Sequence, residues 1–228
     1  MTATTLDRSS PAVRAGLSIA VATGAYGISF GALGVANGLS VLETCALSLL
    51  MFTGGSQFAY IGVIGGGGTP ASALGAASLL GLRNGIYGMQ VNAFLRPSGW
   101  RRLLAAHVTI DESTATGLAQ EEREEQIRGF WTAGLGVFAL WNLMTLVGAL
   151  AGDALGDPKQ WGLDGAAVAA FTGLLWPRLH GREPWAIAAV CAVVTVVCLP
   201  LLPPGVPIIV AAAVAGAIGW ARRGQVAR

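Results

Sequence analysis

One arginine sits in the middle of a long apolar stretch. Arg83 lies halfway along residues 70–95, within Leu79-Leu80-Gly81-Leu82-Arg83-Asn84-Gly85-Ile86-Tyr87. Placing an arginine at the centre of a membrane helix costs about 2.5 to 3.5 kcal/mol on the most lenient scale, so the guanidinium should face a protein interior and a partner. It serves either as an anion contact for a substrate carboxylate or as a structural ion pair or backbone cap, with Glu43 and Asp164 as possible partners.

Two further groups have chemical potential. Thr53-Gly54-Gly55-Ser56-Gln57 interrupts an apolar run of helical length, and each glycine weakens a helix interior by about 1 kcal/mol relative to alanine. In lipid, broken backbone is tolerated only where it faces protein or a watery cavity, so the break marks either a packing kink or a site. Asp111-Glu112 is followed by Ser113-Thr114-Ala115-Thr116, a pattern that suits an ordinary helix start and equally an acidic pair dipping toward the membrane to bind an ammonium group or carry a proton. Gln57 and the amide in Trp141-Asn142 can hydrogen-bond between helices. Gly54-Gly55-Ser56 superficially resembles the serine motif of intramembrane proteases. That chemistry needs a histidine base within reach, and His107 and His180 both fall among arginines in polar connections. With no metal-ligand cluster and no phosphate-cradling loop, the chain reads as a non-enzyme without a cofactor.

Composition places these residues in a membrane. Of 228 residues 54% are hydrophobic and 11% charged, with 33 glycines and a mean hydropathy of +0.62. Soluble domains carry about 25% charge. The net charge of +2 gives no reason to expect a nucleic-acid partner. Charge is also segregated: residues 12–95 carry only Arg14, Glu43 and Arg83, residues 96–128 carry eleven charges, and residues 184–221 carry none. Cys45, Cys191 and Cys198 lie in apolar runs and read as small buried hydrophobes.

A membrane crossing needs about 20 apolar residues. Breakers and charges define seven candidate segments, 12–36, 41–64, 70–95, 128–151, 164–179, 184–200 and 206–221, the last three short enough to be half-spans. The expectation is an all-α polytopic membrane protein with a broken second helix. A polar tail spans 1–11, a single permease domain 12–221 with a polar connection at 96–127, and a basic tail 222–228. Thr69-Pro70 and Asp164 are start signals for the third and fifth segments. Gly24, Gly27, Gly31, Gly34 and Gly38 share one face of the first, where a neighbouring helix can approach closely. With seven crossings, the basic residues put the C-terminus in the cytoplasm and the N-terminus outside. Gly38-Leu39-Ser40 and Gly162-Leu163-Asp164 form a faint echo, and an inverted repeat is a common transporter plan.

Taken in order, Gly27-Ile28-Ser29-Phe30-Gly31, Phe52-Thr53-Gly54-Gly55-Ser56-Gln57-Phe58, Leu82-Arg83-Asn84-Gly85-Ile86-Tyr87-Gly88, Asp111-Glu112 and Gly162-Leu163-Asp164 resemble the landmarks of the AzlC family, the large subunits of branched-chain amino acid exporters. The resemblance runs from about residue 12 to 221. It implies a multi-pass plasma-membrane permease that works with a small AzlD-type membrane subunit. One departure is Arg83-Asn84, where the family commonly has Arg-His. On this reading Arg83, helped by the amides freed at Gly54 and Gly55, takes the substrate carboxylate, Ser56, Gln57 and Asn142 orient the substrate, and Asn84 belongs to the same binding site. Asp111, Glu112 or Asp164 carries the coupling proton. A channel, or a structural subunit without a transport cycle, is the alternative from another class.

Overall fold

The computed structural model describes residues 10–155, Val168, Thr172, Gly173 and 175–226, and among these the chain is helical with no strand. Among the described residues two helices are long and apolar enough to cross a membrane: α1 (Pro11–Ala36), and a 33-residue helix, Arg123–Leu155, that is the seventh in the chain. Ser10 caps α1 by accepting from the Val13 amide at 3.3 Å, and Pro11 occupies the first turn, where its missing N–H costs nothing.

These two long helices run side by side in the same direction. Ser10 and the Ala12 amide both bond Glu125 at their starts, Gly16 faces Ala133, Gly27 faces Trp141, and Gly152 faces Ala32 near their ends. Glycines on both helices make the approach possible. A Cβ at Gly27 would lie 2.7 Å from the Trp141 carbonyl oxygen, and one at Gly136 would lie 2.7 Å from the Ala20 Cβ. Of the expected glycine face, Gly24, Gly27 and Gly31 meet the partner helix, and Gly34 meets Thr44. Gly38 does not belong to that face: it lies beyond the C-cap Asn37, in a turn with φ of 95°.

The second segment is broken where the glycines predict, but its halves do not form one crossing. Helix α2 (Val41–Leu50) and helix α3 (Gly55–Gly65) fold back on each other as a hairpin, clasped by Gln57 Nε2 donating to the carbonyls of Leu47 at 3.4 Å and Ser48 at 3.3 Å. Gly65, at the end of α3, packs on Asn37 just past the end of α1, so the hairpin leaves on the side it entered. Glu43 closes a capping box with Ser40 at the start of α2, which removes it as a partner for Arg83.

Helix α4 (Pro70–Leu95) starts at a Thr69 cap that exchanges bonds with Ser72, as the Thr-Pro signal predicts. It ends beside the start of the long Arg123 helix, where Arg123 Nε donates to the Phe94 carbonyl at 2.8 Å, so α4 runs opposite to α1. The polar connection is itself a second hairpin. Helix α5 (Trp100–His107) brings Val108 against Gly134, and helix α6 (Asp111–Leu118) returns, with Thr116 against Gly129 and Gly117 against Gln126. The Arg123–Leu155 helix is therefore α7. At 1.5 Å per residue, α2 and α3 extend about 15 Å and α5 and α6 about 12 Å. Each hairpin reaches about halfway into a hydrocarbon core roughly 30 Å thick.

Helices α8 (Arg182–Cys198) and α9 (Val206–Val226) form an antiparallel pair, with Arg222 bonded to Glu183 at 2.9 Å. Ile208 joins Ala73 and Ala76 at the start of α4, so α9 runs parallel to α4. Of the expected fifth segment the described residues include a 3-10 turn, Trp176–Arg178; Asp164 and the Gly162-Leu163-Asp164 half of the echo lie outside the described residues. An inversion is present at other elements: α2-α3-α4 and α5-α6-α7 are each a hairpin followed by a long helix, and they run in opposite directions.

The orientation needs correction for the same reason. Because the second segment turns back, the start of α1, the polar connection and the end of α9 share one end of the bundle, here called basal, so the start of α1 does not lie opposite the end of α9 as seven crossings would require. Reporters fused to the two ends of the chain are expected to report the same compartment; opposite compartments would refute the hairpin. Gly31→Ala, which drives a methyl into the Thr145 carbonyl, should destabilise the detergent-solubilised protein by about 1–3 kcal/mol. Gly62→Ala, which meets nothing within 4 Å, should hold or raise the thermal midpoint.

Candidate functional site

Arg83 joins the tips of the two hairpins. From the middle of α4, its Nη2 lies 2.8 Å from Asp111 Oδ2 and donates to the Thr53 carbonyl at 3.5 Å. Asp111 opens α6, where the helix N-terminus favours a negative charge. Its second oxygen accepts from the Tyr87 hydroxyl at 2.6 Å and faces Arg178 Nη2 at 3.5 Å. The carboxylate thus stands between two guanidinium groups and a phenol. Asp111 thus takes the part expected of Glu43, which is held by Ser40, while the other expected partner, Asp164, lies outside the described residues.

The opposite tip supplies backbone donors. Gly54 caps α3 with φ of 53°, in the left-handed region that favours glycine, and no side chain caps the helix. The amides of its first turn are left for other acceptors.

Around these groups lies a cavity of about 340 Å³, within the range of small-molecule sites. Thr53, Gly54, Gly55, Arg83, Asp111 and Glu112 form its polar side, and Tyr26, Phe52, Phe58, Ile110, Val137 and Trp141 its apolar side. Tyr26 and Phe58 lie tilted against each other with ring centres 5.2 Å apart, and Trp141 stands edge-on to both. Arg83 Nε and Thr53 Oγ1 are buried without a hydrogen-bond partner.

Of the sequence-predicted residues, the fold brings Arg83, Gly54, Gly55, Asp111 and Glu112 together on this cavity. Ser56 and Gln57 are buried behind it, Gln57 as the clasp of the hairpin, and neither lines it. Asn84 is half-buried beside Arg83 and also stays off the wall. Asn142 does not line the cavity either: its Nδ2 donates to the Phe138 carbonyl at 2.8 Å within α7, while its neighbour Trp141 is one of the lining residues. The aromatic wall was missed because each ring read as ordinary apolar filling. Phe52 and Phe58, which bracket the broken motif, were the available signal.

Two more cavities flank the first. One of about 350 Å³ is lined by Tyr87, Gln90, Thr114 and Arg178 and shares Asp111 with the central cavity. Another of about 560 Å³ lies between Glu43, Leu47, Tyr60 and Pro70 at the distal end. A family model described as AzlC protein matches residues 18–155. The chain belongs to the AzlC family. It is a membrane protein of a family tied to branched-chain amino acid transport. No curated protein and no solved structure matches the chain. The matched AzlC region runs from within α1 to the end of α7 and so contains both hairpins and Arg83.

Replacing Asp111 with Asn should lower the unfolding free energy of the purified AzlC chain by about 2 kcal/mol. The pair is partly open, its side chains 24% and 17% exposed, so the loss falls below that of a fully buried pair. Tyr87→Phe should cost about 1.5 kcal/mol, the loss of one hydrogen bond to a charged group. Unchanged thermal midpoints in both variants would show that the network does not hold the tips.

Proposed function

We propose that this AzlC chain is the large subunit of a secondary exporter of branched-chain or similar aliphatic amino acids, working in the plasma membrane with a small AzlD-type subunit and without covalent chemistry. The observation that carries this reading is the Arg83–Asp111 pair, which joins two half-length hairpins from opposite ends and lies on a cavity apolar on one side and polar on the other. A bound amino acid exchanges partners with that pair. Its carboxylate takes Arg83 and the open amides of α3, and its ammonium takes Asp111 or Glu112. Its branched side chain rests on Tyr26, Phe58 and Val137. The partners it replaces carry equal and opposite charge, so neither Arg83 nor Asp111 is left uncompensated in a low-dielectric site.

The two hairpins act as gates. The basal end carries Arg14, Arg101, Arg102, Arg182 and Arg222, and this excess of basic residues supports reading it as the cytoplasmic end by the positive-inside rule, with the start of α1 and the end of α9 on that side. Movement of α5 and α6 opens the central cavity toward the basal cavity at Arg178, and movement of α2 and α3 opens it to the outside. A proton on Asp111 or Glu112 couples the cycle, since neutralising Asp111 weakens its hold on Arg83. Val190, Val193, Val196 and Val197 leave α8 with an apolar exposed surface for lipid or the small subunit.

Cells preloaded with labelled leucine, valine and methionine should lose label only when both subunits are expressed, and a protonophore should stop the loss. Arg83→Lys keeps the charge but not the planar fork, so it should accumulate normally while export falls about tenfold or more. Failure of all three substrates to leave, with both subunits in the membrane, would remove the assignment.

A further inference from the structure

We infer that Glu112 is a seat for a ligand's ammonium group, and that the central cavity therefore also takes aliphatic primary amines, which have no carboxylate. The inference rests on the reading above of this cavity as a substrate site. Glu112 is half-buried and lines the cavity, and its carboxylate oxygens are not sealed as Trp141 Nε1 and Thr53 Oγ1 are. Apart from its own amide, that carboxylate bonds no other described residue, and no described cation forms an ion pair with it. A carboxylate in a largely apolar cavity is costly to keep charged without a cation, so a ligand that brings one is favoured there.

The neighbouring Asp111 is not equivalent. Arg83 lies 2.8 Å from one of its oxygens, and the other accepts from the Tyr87 hydroxyl at 2.6 Å and faces Arg178 at 3.5 Å. Two guanidinium groups already balance that charge, and an ammonium placed there would meet both. Glu112 is the next residue of α6, and consecutive helical residues point about 100° apart around the axis. The cavity thus meets one carboxylate that is already paired and one that, among the described residues, is not.

An aliphatic amino acid and the amine left by its decarboxylation share the two parts that this wall receives. The ammonium is a donor only, suited to a carboxylate. The alkyl chain rests on Tyr26, Phe58 and Val137, which line the same cavity, and the rings add attraction for a cation over their faces. The amine asks less of the site than the amino acid does. Having no carboxylate, it leaves Arg83 on Asp111 and on the Thr53 carbonyl, so no ion pair has to open.

The test is calorimetric titration of the full chain, co-purified with its small subunit, with 3-methylbutylamine and with 3-methylbutan-1-ol, which has the same carbon skeleton and no charge. The unmodified chain should bind the amine about tenfold or more tightly than the alcohol, and Glu112→Gln should bring the two to within about twofold of each other. The first comparison needs no variant, so a folding defect in Glu112→Gln does not hide the answer. Glu112→Asp, which keeps the charge, should retain the preference. Equal binding of amine and alcohol by the unmodified chain, or a preference that survives Glu112→Gln in full, overturns the inference. Leucine is titrated in parallel and judged separately. A chain that binds leucine and not the amine loses this inference and keeps the amino acid reading, one that binds the amine and not leucine does the reverse, and one that binds neither loses both.

Discussion

A guanidinium in the middle of an apolar helix can persist only if other parts of the chain bring it an opposite charge and an acceptor. Arg83 imposes that demand, and the structure meets it from both ends of the bundle. Asp111 arrives on the tip of the α5–α6 hairpin and the Thr53 carbonyl on the tip of the α2–α3 hairpin. Neither tip has another evident reason to stop halfway. A broken backbone at that depth leaves amides and carbonyls unpaired, and it is tolerable only because the tips face each other across a polar cavity instead of facing lipid.

The frame that permits this is the glycine contact between α1 and α7. Removing side chains from one face of each helix lets their backbones approach closely, and the gain is dispersion that lipid cannot replace. The same contact fixes the height of Trp141 and Tyr26, which lie at the level of the hairpin tips. Scaffold and site are thus the same residues seen from two sides: Gly27 presses on the Trp141 carbonyl, and the Trp141 ring forms part of the cavity wall.

Much of this was legible in the sequence. The glycine spacing of α1, the Thr69 cap, the break at Thr53-Gly54 and the isolation of Arg83 are local signals, and each appears where it was read. Four features were not legible, for identifiable reasons. Hydropathy cannot distinguish a segment that is interrupted and crosses from one that is interrupted and turns back, because both halves are equally apolar; the Gln57 clasp that decides it is a contact between chain segments. The α5–α6 hairpin was hidden by its charge, since eight-residue helices beginning at Trp100 and Asp111 look like surface connection. The partner of Arg83 is 28 positions away in that connection, beyond any periodicity. The Trp141-Asn142 pair drew attention to the amide because side-chain polarity is easier to read than the direction in which a helix presents a ring.

The neutrality of the Arg83–Asp111 pair has an electrical consequence. A membrane voltage of 100 mV acts on one elementary charge carried fully across the bilayer with about 2.3 kcal/mol, so a lone arginine near the centre would be pulled with a large fraction of that at every change of potential. A cation and an anion 2.8 Å apart present almost no net charge to the field. The Arg83–Asp111 pair is for this reason nearly blind to voltage, and a zwitterion exchanging partners with it preserves that condition. Only an added proton or ion would give the field something to act upon.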